Sequence, residues 1–307
     1  MSSTSTASVP PAPVGDGAFR PGKVLGRAVA NGAAPRATPS ELCQRTGPEA
    51  EGGSRSRGVS LVIPAYNEAA RIERTLERYL PVLRALRDPY EVIVVDDGHD
   101  GTADVVGKYA PSGVIYLKQP TKMGKGGAVL TGMRASRFDT IGYVDADGSL
   151  SAADLGRLID MVRRFDCVIG SRWVPGSRWI RREPRLKRFA SRGFNVLTRG
   201  LLGLPLADTQ CGAKFYQARL LDRLIREVHV TNATVDVSFL YHARRSGAQI
   251  LEVPVEWDDD PRSRWNLPTM VVFMFITVVG IRIMSLPIGR FVPPSFVARV
   301  RALLGAI

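Results

Sequence analysis

The stretch TIGYVDADGSL, residues 140–150, runs from an apolar segment into two acids one residue apart and then a glycine. An apolar run this short, with no polar face, reads as a strand buried on both sides, the form strands take in a parallel sheet. The pattern recurs on either side of it. VSLVIP (59–64), YEVIVVDD (90–97), GVIYLK (113–118) and CVIGS (167–171) are runs of the same kind. Helix-like periodicity fills the gaps, over 68–86 with Ile72, Leu76, Leu80 and Leu83 on one stripe, from Thr102, over 126–136 and over 152–165. Parallel neighbours need a crossover, and each gap is long enough for one. The expected fold class is α/β, a Rossmann-like, mostly parallel open sheet flanked by helices, with a hydrophobic helix near the C-terminus.

Ligands on such sheets lie beyond the carboxyl ends of the strands. Asp96, Asp97, Asp145 and Asp147 all fall there. Hard divalent cations prefer oxygen, and magnesium typically combines one or two carboxylates with substrate phosphates. Asp145 and Asp147 suit such an ion, Mg2+ or Mn2+; a strand-end turn with Asp147 capping a helix is the alternative. Asp96 and Asp97 end an apolar strand, where two acids are costly unless something uses them. They could accept hydrogen bonds from a base edge or ribose hydroxyls, or sit in a solvated turn ahead of a helix capped by Asp100.

KMGKGG, residues 122–127, leads into a helix. Glycines permit close approach, and lysine at a helix N-terminus suits phosphate, which makes Lys125 a candidate; a flexible basic loop is the bland reading. No Walker A loop and no G-x-G-x-x-G after a strand occurs, which disfavours an ATPase and a nicotinamide enzyme.

The chain has 307 residues and a formal net charge of +13, which favours anionic partners. Its densest charge is residues 171–200, with nine Arg or Lys side chains, among them Arg172 and Arg188, and Glu183 as the only acid. Nucleic acid, a phosphorylated substrate or membrane headgroups, and plain solvation all remain open for it. The three cysteines, Cys43, Cys167 and Cys211, form no C-x-x-C pair, so neither a disulfide framework nor a zinc ribbon is indicated and a reducing cytosol is the default. The three histidines are scattered.

Residues 1–57 are rich in Pro, Ala, Gly, Ser and Arg and lack periodicity, which predicts a disordered tail without a secretory signal. Residues 263–307 are predicted to form a hydrophobic and basic membrane-associating segment. Its apolar run is bounded by Pro268 and Pro287. At ~1.5 Å per residue it is just short of a bilayer core. Interfacial or domain packing is favoured, with a single span as the alternative.

Together these pieces resemble family 2 glycosyltransferases of the GT-A fold, and within them polyprenyl- or dolichyl-phosphate glucosyltransferases. The resemblance covers about residues 59–282, and the GT-A domain is placed at 58–262. Its carriers are VIPAYNEAARIERTL, VIVVDDGHDGTADVV, KMGKGGAVLTGM, DADG, GSR, DTQCGAKFY, VDVSFLYHARRSGAQILEVPVEW and the terminal IR.

The resemblance implies a nucleotide-sugar donor, a polyprenyl phosphate acceptor, a divalent metal and a location at the cytoplasmic face of a membrane, with no nucleic acid. Pro64, Ala65, Tyr66 and Glu68 would hold base and ribose, and Asp97 would contact the nucleoside, beside Asp96. Asp145 and Asp147 would bind the metal, and Lys125 the donor. Arg172, and with it Arg188, Gln210 and Arg264, would serve phosphate or acceptor. Residues 208–212 would line the sugar and acceptor site. Asp147, Arg172 and Asp236 are the expected catalytic group, with Asp236 as base or positioning residue.

Two departures stand out. Ser238 replaces the glutamate of F-D-V-E, and Ala213 replaces the aromatic of C-G-F-K. Alternatives are a GDP-mannose-dependent enzyme, transfer to a soluble hydroxyl, a catalytically idle scaffold and, more remotely, a nucleic-acid binder.

Overall fold

The computed structural model describes residues 55–181, 185–228, 230, 232–259 and 267–285. The tail expected over 1–57 lies outside these residues except at its end, where Ser56 and Arg57 already belong to the first strand. Arg264 also lies outside them.

A seven-stranded sheet forms the centre, in the order β3-β2-β1-β4-β7-β5-β8. Its strands are β1 (Ser56–Ala65), β2 (Tyr90–Asp96), β3 (Val114–Lys118), β4 (Phe138–Val144), β5 (Cys167–Ser171), β7 (Ala213–Gln217) and β8 (Ile250–Pro254). The helices are α1 (Ile72–Ala85), α2 (Thr102–Gly107), α3 (Gly124–Ala135), α4 (Ala152–Val162), α5 (Arg185–Leu202), α6 (Ala218–Glu227), α7 (Val235–Arg245) and α8 (Leu267–Met284). Strands β6 (Arg178–Arg181) and β9 (Glu256–Asp258) pair in a separate two-stranded sheet.

Each apolar run predicted as a strand is one. Val59, Leu61, Val62 and Ile63 of β1 are fully buried, because a strand covered on both faces has no solvent side. On α1 the stripe Ile72, Leu76, Leu80 and Leu83 is buried together with Tyr79, as a 3.6-residue period requires. Helix α4 starts where Ser151 Oγ accepts the Asp154 amide at 3.1 Å, an N-cap worth roughly 1 kcal/mol.

The topology corrects the reading in one place. Residues 213–217 are a strand, β7, antiparallel to both β4 and β5 and lying between them. Its sequence AKFYQ has a lysine inside an otherwise apolar run, which hides it as a buried strand. Strands β4 and β5 are therefore not neighbours.

Strand β1 pairs in parallel with both β2 and β4. The order reverses at β1, and the crevice of an open sheet opens at such a switch, beyond the strand carboxyl ends. The loop after β1 and the turn after β4 both emerge there.

Helix α8 runs over the apolar stretch near the C-terminus. Among its described side chains Met274, Thr277, Val278 and Ile281 are buried, whereas Phe275, Ile276 and Ile283 are exposed. Among the described residues no helix is long and apolar enough to cross a membrane.

Candidate active site

Strand β4 stops at Val144, so Asp145 and Asp147 stand in a turn and not on a strand. The turn is bound on both sides. The Asp145 amide donates to the Gly212 carbonyl at 3.0 Å. Thr75 of α1 donates its hydroxyl to the Ala146 carbonyl at 2.6 Å. Asp147 accepts the Ser149 amide at 3.0 Å, a local turn bond; the helix cap belongs to Ser151. The Asp145 carboxyl rests on the Gly212 backbone, where any Cβ would overlap it.

Burial and the neighbouring charge of Asp145 push the Asp147 carboxyl above the ordinary aspartate range. Glu68 joins them. Burial raises its pKa, Asp147 and Asp145 raise it further, and Arg71, which grips both its oxygens, works against the rise. The crevice thus holds negative charge that its own residues do not fully offset.

Glu68 sits in the loop after β1, after the strand's last residues, Pro64 and Ala65. The loop is pinned to the next turn. The Glu68 amide donates to Thr102 Oγ1 and the Ala69 amide to Asp100 Oδ2, each at 3.0 Å. Asn67, with a φ of 56°, accepts the His99 amide at 2.8 Å. Tyr66 is 45% exposed, and the Lys122 ammonium lies 4.2 Å from its ring centroid. An exposed ring with a cation beside it suits a flat nucleobase.

Asp96 and Asp97, at the end of β2, are built into the scaffold. Asp96 accepts from the Gly98 amide and the Tyr116 hydroxyl at 2.8 Å and from Lys118 Nζ at 3.3 Å. Asp97 Oδ2 accepts the amides of Met123 and Gly124, at 3.1 and 2.8 Å, where α3 begins. It shapes the K-M-G-K-G-G turn, in which Gly124 has a φ of 71°.

Helix α3 then delivers Lys125 to the acids. Its Nζ lies 2.9 Å from Asp145 Oδ1 and 3.2 Å from Asp236 Oδ2. Burial opposes its charge, yet Asp145 and Asp236 hold it protonated above the usual lysine range.

Asp236, on the first turn of α7, is buried. Its Oδ1 accepts from Lys214 Nζ at 2.9 Å and from the Tyr143 hydroxyl. Burial would raise its pKa, but Lys125 and Lys214 hold it below the ordinary range. A carboxylate so saturated is a poor proton acceptor, and of the two expected roles this geometry suits positioning.

Lys214 and Tyr143 escaped the sequence reading as site residues. Lys214 is 0% exposed and also donates to the Cys211 carbonyl at 2.6 Å. A lysine inside an apolar strand was the available signal. Removing one partner of such a buried pair typically costs about 3–5 kcal/mol.

Arg172 lies elsewhere. It forms a two-pronged ion pair with Asp208, Nε to Oδ2 at 2.7 Å and Nη2 to Oδ1 at 3.0 Å, with its guanidinium near the rings of Trp179 and Trp257. Burial disfavours the Asp208 charge, but Arg172 keeps its pKa below the ordinary range. Gln210 donates its backbone amide to Asp208 Oδ1 at 3.1 Å, and its Nε2 is 3.8 Å from Met274 Sδ. Arg188 lies on α5, and its Nε is buried without a hydrogen-bond partner. Ser238 is buried and lines a separate cavity of about 600 Å3 with His242, Arg245 and Ile281.

Among the described residues no group of three or more His, Cys, Asp or Glu side chains is gathered as a metal site. Two carboxylates in a shared turn, one with its pKa raised by burial and by the other, still fit a hard divalent ion whose remaining ligands come from phosphate and water.

The model of glycosyl transferase family 2 matches residues 60–225, from β1 into α6, which takes in both acid pairs and Lys214. The chain belongs to that family. As a family 2 glycosyltransferase it is 34% identical over 242 residues to a dolichyl-phosphate beta-glucosyltransferase of Trichomonas vaginalis, covering 73% of this chain and 71% of that protein. It is 34% identical over 212 residues to glycosyltransferase AglD of Haloferax volcanii; the match takes in 65% of this chain but spans only 33% of the Haloferax protein. Its fold matches glucosyl-3-phosphoglycerate synthase from Mycobacterium tuberculosis, solved with Mn2+, UDP-glucose and phosphoglyceric acid. The TM-score is 0.58 at 20% identity, over 81% of this chain and 85% of that one. At that identity the likeness concerns the fold alone.

Proposed function

We propose that this family 2 glycosyltransferase moves a hexose, glucose before mannose, from a nucleoside-diphosphate sugar, UDP-glucose, to a polyprenyl-type lipid phosphate at the cytoplasmic face of a membrane. The observation that carries the reading is the under-compensated pair Asp145 and Asp147 at the topological switch, with Lys125 beside it. Breaking a sugar–diphosphate bond leaves negative charge on the departing phosphate, and groups that meet that charge as it develops accelerate the step.

Asp145 and Asp147 would hold the divalent ion, Mg2+ or Mn2+; when bound, it screens the diphosphate and its leaving charge. Tyr66 and the loop from Pro64 to Glu68 would take base and ribose. Asp96 and Asp97 would act chiefly by shaping the floor of that pocket. Arg172, in its pair with Asp208, would fix the segment leading to Gly212 and so the seat of Asp145. Arg188, Gln210 and Arg264 would belong to the acceptor side.

The state of Asp236 supports a phosphate acceptor. A sugar hydroxyl needs a base, and Asp236 is occupied by two ammonium groups and a phenol. A phosphate monoester, with its second pKa near ~6, is already largely dianionic at neutral pH. Direct displacement by it would invert the anomeric carbon and give a β-linked product from an α-linked donor. The exposed face of α8, Phe275, Ile276 and Ile283, supports lying on a membrane surface, as does the net charge of +13. A GT-A domain over 58–262 followed by a membrane-associating segment over 263–307 is the corresponding division of the chain.

The test is purified protein with a panel of labelled nucleotide sugars, polyprenyl phosphate or a soluble sugar alcohol, and mass analysis of the extracted lipid. A hexosyl-phosphoryl-polyprenol formed only with UDP-glucose and a divalent ion is the expected product. Transfer from GDP-mannose alone would replace the donor, and transfer only to the soluble hydroxyl would overturn the acceptor.

A further inference from the structure

The Lys125 ammonium lies 2.9 Å from Asp145 Oδ1, an oxygen of a carboxylate proposed above to hold a divalent ion. Two cations cannot share that oxygen cheaply, because like charges a few ångströms apart repel by several kcal/mol in a partly buried site. Lys125 must therefore yield when a metal arrives. The rest of the network allows it to. Asp236 loses one contact when Lys125 leaves, but Lys214 and Tyr143 remain on its other oxygen. Lys125 stands in the first turn of α3, where backbone amides and the helix dipole favour phosphate oxygens, so a diphosphate in the crevice offers the ammonium a new partner. Without that diphosphate, the displaced ammonium has no such partner.

We infer that Lys125 is the resident counter-ion of the metal site and is transferred from Asp145 to the donor's diphosphate when metal and nucleotide enter together. Lys125 then acts as a positioning residue that couples the two ligands. The metal alone meets a competing cation, and the diphosphate removes it, so each ligand tightens the other by the same factor. This rests on the assignment of Asp145 and Asp147 to the metal.

The experiment is a calorimetric titration of the full chain with Mn2+, with and without UDP. For the wild-type protein, UDP should tighten Mn2+ by about tenfold or more. Lys125→Gln should bind Mn2+ alone about tenfold tighter than the wild type, since the competing charge is gone, and UDP, which still supplies phosphate ligands, should tighten it by a smaller factor than in the wild type. Lys125→Arg keeps the charge and should keep the wild-type order. Lys125→Met serves if the glutamine variant does not fold, with circular dichroism as the check. Mn2+ binding to the neutral variants no tighter than to the wild type, with UDP enhancing it as much as in the wild type, would overturn the inference and leave the metal assignment standing. No Mn2+ uptake by any variant in the presence of UDP would overturn both.

Discussion

Two pairs of acids end two strands that flank the same neighbour, and the fold treats them in opposite ways. Asp96 and Asp97, at the end of β2, are bonded into the scaffold: an amide, a phenol and a lysine reach Asp96, and Asp97 Oδ2 takes two amides and holds the first turn of α3 in place. Asp145 and Asp147, after β4, carry Lys125 and the Ser149 amide on their carboxyls, and burial and the charge of Asp145 raise the pKa of Asp147. In the first pair most of the negative charge meets backbone and side-chain donors of the scaffold; the second is the pair proposed above to receive a ligand. The lesson is that an acid at a strand end is ambiguous until its hydrogen-bond partners are counted.

The comparison is broken most sharply by neutralising each pair. Asp145→Asn and Asp147→Asn should lower transfer by about a thousandfold, the scale expected when a transition-state charge loses its stabiliser. Thermal melts should show little loss for Asp147→Asn, which relieves repulsion, and a larger one for Asp145→Asn, which takes a partner from Lys125. A large drop in melting temperature with turnover retained would put the second pair in the scaffold too.

Gly212→Ala sharpens the same point without touching a charge. The added Cβ would overlap the Asp145 carboxyl. Displacing that group by about 1 Å should cost roughly a hundredfold in turnover, with an unchanged circular dichroism spectrum. Steady-state kinetics and metal affinity, measured together, check it.

For the first pair the effect should move to stability. Asp97→Ala removes the acceptor for two amides at the start of α3 and should destabilise by about 1–2 kcal/mol in urea melts. A loss of turnover with no loss of stability would instead make Asp97 a substrate contact.

The smallest effect concerns pH. The folded pKa of Asp208 is lowered by Arg172 below an unfolded value of about 3.9. Its stabilisation is therefore complete above about pH 4 and is lost as pH falls through the lower folded value. Asp208→Asn should flatten that part of the acid limb, read from melts between about pH 5 and 2.

Most of the sheet was legible because buried parallel strands are short, wholly apolar and separated by amphipathic helices. The crevice was legible for a related reason, since acids at the ends of such strands stand out. Strand β7 was not, because its buried Lys214 contradicts the expectation that charge means surface, and only the distant Asp236 resolves the contradiction. The pairing of Arg172 with Asp208 was not legible, because nothing local reveals a partner 36 residues on. Asp97 and Asp147 could not be told apart, since the amides that satisfy one of them come from a turn 26 and 27 residues away.

The antiparallel insertion of β7 has a consequence for how the molecule is made. During synthesis β3, β2, β1 and β4 can assemble before residue 213 leaves the ribosome, and β4 is then an unpaired edge with its amides and carbonyls exposed. Such an edge is a template for association with other nascent chains until β7 closes it. The same closure brings Gly212 beneath Asp145, and α7 then brings Asp236 against Lys214, so a growing chain acquires its candidate site and its protection from aggregation late and close together.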